Sequence, residues 1–148
     1  MEFSTRDVRP RSLAVVRVTT ALALWPSQFR QELDKVYEAV RAGHVVSSGH
    51  NVMLYRHRRD GLVDIECGIE TAGRFAGIGE VVYRETPAGT VVTATHVGPY
   101  RRLRETHDAV VAWAGTKGHR LSGVCWEVYG DWSPDPAKLE TEVFHLVR

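Results

Sequence analysis

The second half of this chain repeats the plan of its first, and that duplication restricts its fold more than any other feature. Val15-Val16-Arg17-Val18 returns as Val91-Val92-Thr93-Ala94, an offset of 91 − 15 = 76. Gly49-His50-Asn51-Val52-Met53-Leu54-Tyr55 returns as Gly123-Val124-Cys125-Trp126-Glu127-Val128-Tyr129 at 123 − 49 = 74. Asp64-Ile65-Glu66-Cys67 returns as Glu140-Thr141-Glu142-Val143, again at 76. The copies therefore differ only by small loop changes. A duplicated unit of this size usually closes about a pseudo-two-fold axis, the seam is a natural groove, and positions where the copies differ mark specialisation.

Each copy reads β-β-α-β-β. Repeat 1 covers about residues 5–69 and repeat 2 about 80–147, with the glycine-containing stretch of about 70–79 as linker. At 148 residues the whole chain, 1–148, is one domain by length. The first helix should begin at Pro26-Ser27, since proline suits a first helical turn and serine is a good cap. Phe29, Leu33, Val36, Tyr37 and Val40 give it an apolar stripe. Asp60-Gly61 is a favoured tight turn between two strands. A second helix over about 100–114 should bury Leu103, His107, Val110, Val111 and Ala114. The expected fold class is α+β: two tandem βαββ-type repeats with antiparallel sheets, related by a pseudo-two-fold axis, with a ligand groove between them.

Charge excludes some functions. A net charge of +1 and no recognisable motif argue against nucleic acid as a direct partner. The runs Arg56-His57-Arg58-Arg59 and Arg101-Arg102-Leu103-Arg104 read as a solvated hairpin tip and a solvated helix start. No stretch approaches the ~18 apolar residues of a membrane span, and the N-terminus has no signal-peptide core. Cys67 and Cys125 lack metal-type spacing and read as free thiols in a reducing cytoplasm. The seven histidines show no ligand spacing, and no cofactor or phosphate loop is present. The expectation is therefore a cytoplasmic protein without metal or cofactor.

Glu127 stands out chemically. It lies in an otherwise apolar strand whose alternation puts Cys125, Glu127 and Tyr129 on one face. Its partner in the first copy is Met53. If that face lines a pocket, burial disfavours the charged carboxylate and suits it to hold a cation or move a proton; the alternative is an edge-strand glutamate facing water. Tyr55 and Tyr129 occupy equivalent positions, as shared structural residues or as matched pocket walls. Trp113 and Trp126 read as core residues on the helix-facing sides of their elements. Trp25 and Trp132 read as a pocket rim, and together the aromatics could box a flat or cationic ligand.

At His96-Val97-Gly98-Pro99-Tyr100 a resemblance emerges. This motif, a helix, the strand Trp126-Glu127-Val128-Tyr129 and the closing Thr141-Glu142-Val143-Phe144 resemble the GyrI-like small-molecule-binding domain, which also forms the effector-binding part of multidrug-responsive bacterial transcription regulators. The resemblance is strong over residues 80–146 and weaker over 5–69, where Thr20-Ala21-Leu22-Ala23-Leu24-Trp25-Pro26 replaces the expected Gly-Pro-Tyr. It implies an aromatic groove with one buried glutamate, here Glu127, beside Tyr129 and Tyr100, that attracts lipophilic cations. Ligand contacts are then expected from Glu127, Tyr129, Tyr55, Tyr100, Met53, Trp25, Trp132 and Cys125.

The chain lacks the helix-turn-helix of such regulators and is expected to be a stand-alone binder of a hydrophobic or cationic drug, toxin or secondary metabolite. The resemblance also implies an alternative: a hydrolase or cyclase of strained, cyclopropane-type natural products, with Glu127 as general acid/base and Tyr129 polarising the leaving oxygen. A third reading, a protein partner of the gyrase-modulating kind, draws little from the helix-face charges. The partner expected is a small molecule, with a homodimer left open and no membrane.

Overall fold

The computed structural model describes residues 1–148. The chain is α+β and forms two compact units, unit I from Pro10–Thr86 and unit II from Met1–Arg9 with Pro87–Arg148. Unit I contains β2 (Ser12–Thr20), α1 (Trp25–Arg41), β3 (Ser47–His57), β4 (Val63–Thr71) and β5 (Val82–Glu85). Unit II contains β1 (Phe3–Val8), β6 (Gly89–Val97), α2 (Leu103–Thr116), β7 (Leu121–Tyr129) and β8 (Glu140–Val147).

Within unit I the strands run β5-β2-β4-β3, and within unit II β1-β6-β8-β7, with every neighbouring pair antiparallel. Under the sequence duplication β1 corresponds to β5, β2 to β6, β3 to β7 and β4 to β8, so the two orders are the same. One feature of this order is invisible in the repeat itself. The strand that opens each copy pairs in the unit built from the other: β1 joins β6, with Phe3 opposite Ala94, and β5 joins β2, with Arg84 opposite Leu13. The packing units are thus the sequence copies with their first strands exchanged.

Local chemistry explains the elements. α1 starts at Trp25 with Pro26 in its first turn. Ser27 is not its cap; the hydroxyl instead donates to the Leu24 carbonyl at 2.7 Å. Gly43 ends the helix with φ +81°, a conformation natural only to glycine, while the Gly43 and His44 amides satisfy the Val40 and Ala39 carbonyls. At the β3–β4 turn Gly61 takes φ +84°, and Arg58 bridges Asp60 and Asp64 at 3.0 and 3.2 Å. In the second basic run, Arg102 and Arg104 pair with Glu105 and Asp108 along α2.

α1 packs on β2 and β4, and α2 on β6 and β8. The core beneath α2 comprises Val92, Ala94, Leu103, Val110, Ala114 and Val143, with Trp113, Tyr129 and Phe3 against it. Val111 is exposed, contrary to expectation, because Thr106 and Val110 take the inward stripe of α2. Trp126 also differs from expectation. It is buried, but it stacks on Phe144 at 5.2 Å on the sheet face turned away from α2. No helix is long and apolar enough to cross a membrane.

Candidate functional site

The corner that ends β6 is built around His96. Its Nε2 lies 2.9 Å from the Pro99 carbonyl, which can only accept, so that nitrogen carries the hydrogen. Its Nδ1 lies 2.7 Å from the Thr106 hydroxyl on α2. Gly98, at φ +133°, turns the chain while its amide donates to the Leu139 carbonyl at 2.8 Å. The His-Val-Gly-Pro-Tyr motif is therefore a locked joint that delivers Tyr100 to the start of α2. Thr106→Val leaves a buried ring nitrogen unpaired and should cost about 1–3 kcal/mol; a thermal melt superimposable on wild type would show that the joint carries no such strain.

Glu127 projects from β7 toward α2. Register places Cys125 opposite His145, Glu127 opposite Val143 and Tyr129 opposite Thr141. The carboxylate is 4 % exposed, and a charge buried so deeply needs partners. Tyr129 donates its hydroxyl to Oε1 at 2.6 Å. His107, one turn into α2, presents Nε2 to Oε2 at 2.8 Å. Its other nitrogen, Nδ1, stands 2.8 Å from His145 Nε2. Tyrosine, carboxylate and two imidazoles thus form one hydrogen-bonded chain from β7 through α2 to β8.

Toward solvent, Tyr100 packs edge-on against Tyr129 with ring centroids 5.3 Å apart, and burial pushes its phenol pKa up. Tyr100 is 38 % exposed. An anionic oxygen pair behind two aromatic rings can attract an organic cation, through charge and through ring faces, or can accept a proton. Cys125 lies beside this chain, and burial followed by the Glu127 charge pushes its thiol up to about 12. Cys67, in unit I, is likewise pushed up to about 12 by burial and by Glu32. At pH 8 roughly one thiol in ten thousand is then ionised. Neither should react with iodoacetamide in the native protein while both react in denaturant; rapid native labelling of either, read by mass spectrometry, would contradict this.

The remaining candidates fall in different places. Met53 and Tyr55 are buried in unit I, where the Tyr55 hydroxyl meets the Met53 sulfur at 3.6 Å. Trp25 is enclosed rather than at a rim: it is buried against Phe29, and its indole N–H meets no protein acceptor. Trp132 is 75 % exposed on the loop after β7. That loop and the Tyr100 corner lie at the same end of the unit II sheet, since Gly130 and Gly98 both donate to the entry of β8. A separate concavity of about 640 Å³ beside β1 and β6, with Arg6, Thr95 and Glu142 in its wall, contains none of these residues.

Two members of the chain, His107 and His145, carry no motif or spacing that marks them in the sequence. His107 was legible only as part of a buried helical stripe. His145 becomes visible once β8 is registered against β7, because it faces Cys125 directly.

Comparison with known proteins agrees with this architecture. The fold matches the crystal structure of the EcmrR C-terminal domain at 18 % identity and TM-score 0.82, covering 99 % of this chain and 97 % of that one. It matches SAV2435 bound to tetraphenylphosphonium at 16 % identity and TM-score 0.76, covering 100 % and 94 %. It also matches a hydrolase encoded by lin2189 from Listeria innocua at 12 % identity and TM-score 0.63, covering 99 % and 92 %. At these identities the likeness is one of fold. No curated protein sequence matches the chain. Residues 1–148 match the GyrI-like small molecule binding domain from end to end, and the chain belongs to that family.

Proposed function

We propose that this GyrI-like domain binds a hydrophobic organic cation, with Glu127 as the counter-charge. The observation that carries the reading is a buried carboxylate at a strand position where the duplicated copy has Met53, held between Tyr129 and His107 behind Tyr100. A carboxylate fixed in a desolvated aromatic setting attracts a weakly hydrated cation far more than a strongly hydrated one, because the latter loses more water on entry. Tyr100, Tyr129 and Cys125 supply the surrounding surface in unit II, with Trp132 at its exposed end. The tetraphenylphosphonium held by SAV2435 is a suitable probe. Titration followed by tryptophan fluorescence should saturate with tetraphenylphosphonium and be weaker with neutral triphenylphosphine oxide; equal affinity for both would remove the role of charge.

A second reading, hydrolysis of a strained electrophile, is favoured by the hydrogen-bonded run Tyr129–Glu127–His107–His145. Glu127 would take a proton from the attacking water, held in place by the His107 N–H, while Tyr129 polarises the leaving oxygen. General acid–base help of this kind is worth about 10²–10⁴-fold. Turnover of cyclopropane-bearing substrates that is lost in Glu127→Gln, with binding retained, would establish it; undiminished turnover in that variant would exclude it.

A further inference from the structure

We propose that His107, Cys125 and His145 form a transition-metal site of the zinc class, His107 binding through Nδ1, His145 through Nε2 and Cys125 through Sγ. This site adjoins the small-molecule site, sharing Cys125 and the His107–Glu127 bond with it, and its metal readout does not depend on ligand binding. One donor atom from each of the three residues lies within 4.8 Å of the other two. They come from three elements fixed by packing: His107 on α2, Cys125 on β7, and His145 directly across the ladder on β8.

The nitrogen pair is spaced close to that of a tetrahedral ion, and Sγ is within 4.8 Å of it. Zn–N bonds of about 2.0–2.1 Å and a Zn–S bond of about 2.3 Å place two imidazole nitrogens roughly 3.3 Å apart and nitrogen and sulfur roughly 3.6 Å apart. His107 Nδ1 and His145 Nε2 stand 2.8 Å apart, sharing one hydrogen. Replacing that hydrogen by a cation opens the pair by about half an ångström and draws Sγ inward. His145 changes tautomer, its hydrogen passing from Nε2 to Nδ1 so that the ring stays neutral, and the thiol proton leaves to solvent.

The surroundings are those of a metal-binding histidine. Glu127 already accepts from His107 Nε2 at 2.8 Å, so a lone pair on Nδ1 points toward His145. A carboxylate that fixes the tautomer of a ligating histidine is the usual outer partner of protein zinc. A thiolate with two imidazoles suits zinc and excludes magnesium and calcium, which take oxygen ligands. Three protein ligands leave the fourth position to water, and half-buried His107 leaves a way in.

The duplication offers an internal contrast. Aligning the ladders and the helix starts, the first copy has Asn51 for Cys125, Ile69 for His145 and Phe29 for His107, and Asn51 faces Ile69 as Cys125 faces His145. The second copy alone carries the donor set, as it alone carries Glu127.

The test is cobalt titration of protein freed of metal with chelator. One equivalent of Co²⁺ should produce a thiolate-to-cobalt charge-transfer band and the intense visible bands of a tetrahedral ion, both removed by Zn²⁺. Cys67→Ser should keep the band, Cys125→Ser should abolish it, and His145→Gln should weaken binding at least tenfold. No thiolate band in the wild-type protein, or one that persists in Cys125→Ser, overturns the proposal. Should Cys125→Ser fold poorly, zinc X-ray absorption on the wild-type protein gives the same answer. One sulfur at about 2.3 Å with nitrogens at about 2.0–2.1 Å is expected, and a shell without sulfur overturns it.

Discussion

Glu127→Gln should weaken tetraphenylphosphonium binding between ten- and a hundredfold while the protein stays folded. The size follows from electrostatics. A cation centred about 6 Å from the carboxylate in an effective dielectric of roughly 20 gains ~2.8 kcal/mol, about a hundredfold in affinity. His107 shares one carboxylate oxygen, and any positive charge it carries reduces the gain, hence the lower bound. The substitution keeps the shape of the side chain. The amide oxygen can still accept from one partner, and the Tyr129 hydroxyl can turn from donor to acceptor. Removing the buried charge while keeping its volume relieves the cost of its desolvation. The variant should therefore melt at or above the wild-type temperature, lose the cation and keep its affinity for triphenylphosphine oxide. A dissociation constant for tetraphenylphosphonium within twofold of wild type would separate Glu127 from ligand binding altogether.

The same comparison separates charge from fit. Tyr100→Ala removes the partly exposed ring but leaves Glu127, Tyr129 and His107 bonded as they are. A loss shared equally by the cation and its neutral analogue would assign Tyr100 to apolar contact. A loss confined to the cation would assign it to its ring face.

Much of this was legible in the residues, and the rest was hidden for definable reasons. The repeat exposed the order of strands and helices because matching segments must adopt matching structure. It could not expose the exchange of β1 and β5, since pairing between distant segments leaves no local pattern: Phe3 opposite Ala94 is a fact of assembly. Alternation in β7 correctly grouped Cys125, Glu127 and Tyr129, but a period of two does not say which face the helix covers. Alternation alone therefore leaves Trp126 free to face α2, where Glu127 and Val143 stand instead. His145 is silent in the sequence because its relation to Cys125 exists only through the β7–β8 register, which shifts irregularly between Leu121 and Cys125. Glu127 is legible because the copies disagree there, with Met53 in the corresponding place.

Gly68→Ala should be the most damaging small substitution in unit I. Gly68 sits in β4 between Val15 of β2 and Val52 of β3. A methyl group there would stand 1.8 Å from the Ala14 carbonyl oxygen and 2.8 Å from both the Ala14 carbonyl carbon and the Val15 Cα. All three atoms are backbone, so relief requires β2 to move away from β4 and loosen the ladder that binds them. The second copy has Phe144 at this position, stacked on Trp126, so the close approach belongs to unit I alone. Gly49 is different in kind. Its added methyl group meets the Glu70 carboxylate at 2.6 Å, a side-chain end that can swing aside at the expense of its bond to Arg11. Overpacking typically costs about 1–3 kcal/mol, and against fixed backbone the upper end, ~3 kcal/mol, is expected, which for a chain of this length lowers the melting temperature by roughly 6–12 °C. Gly73→Ala, with open space around it and no left-handed backbone, is the control and should melt within a degree or two of wild type. Should Gly68→Ala melt alongside that control, the close contact of β2 and β4 would not be a feature of the folded protein.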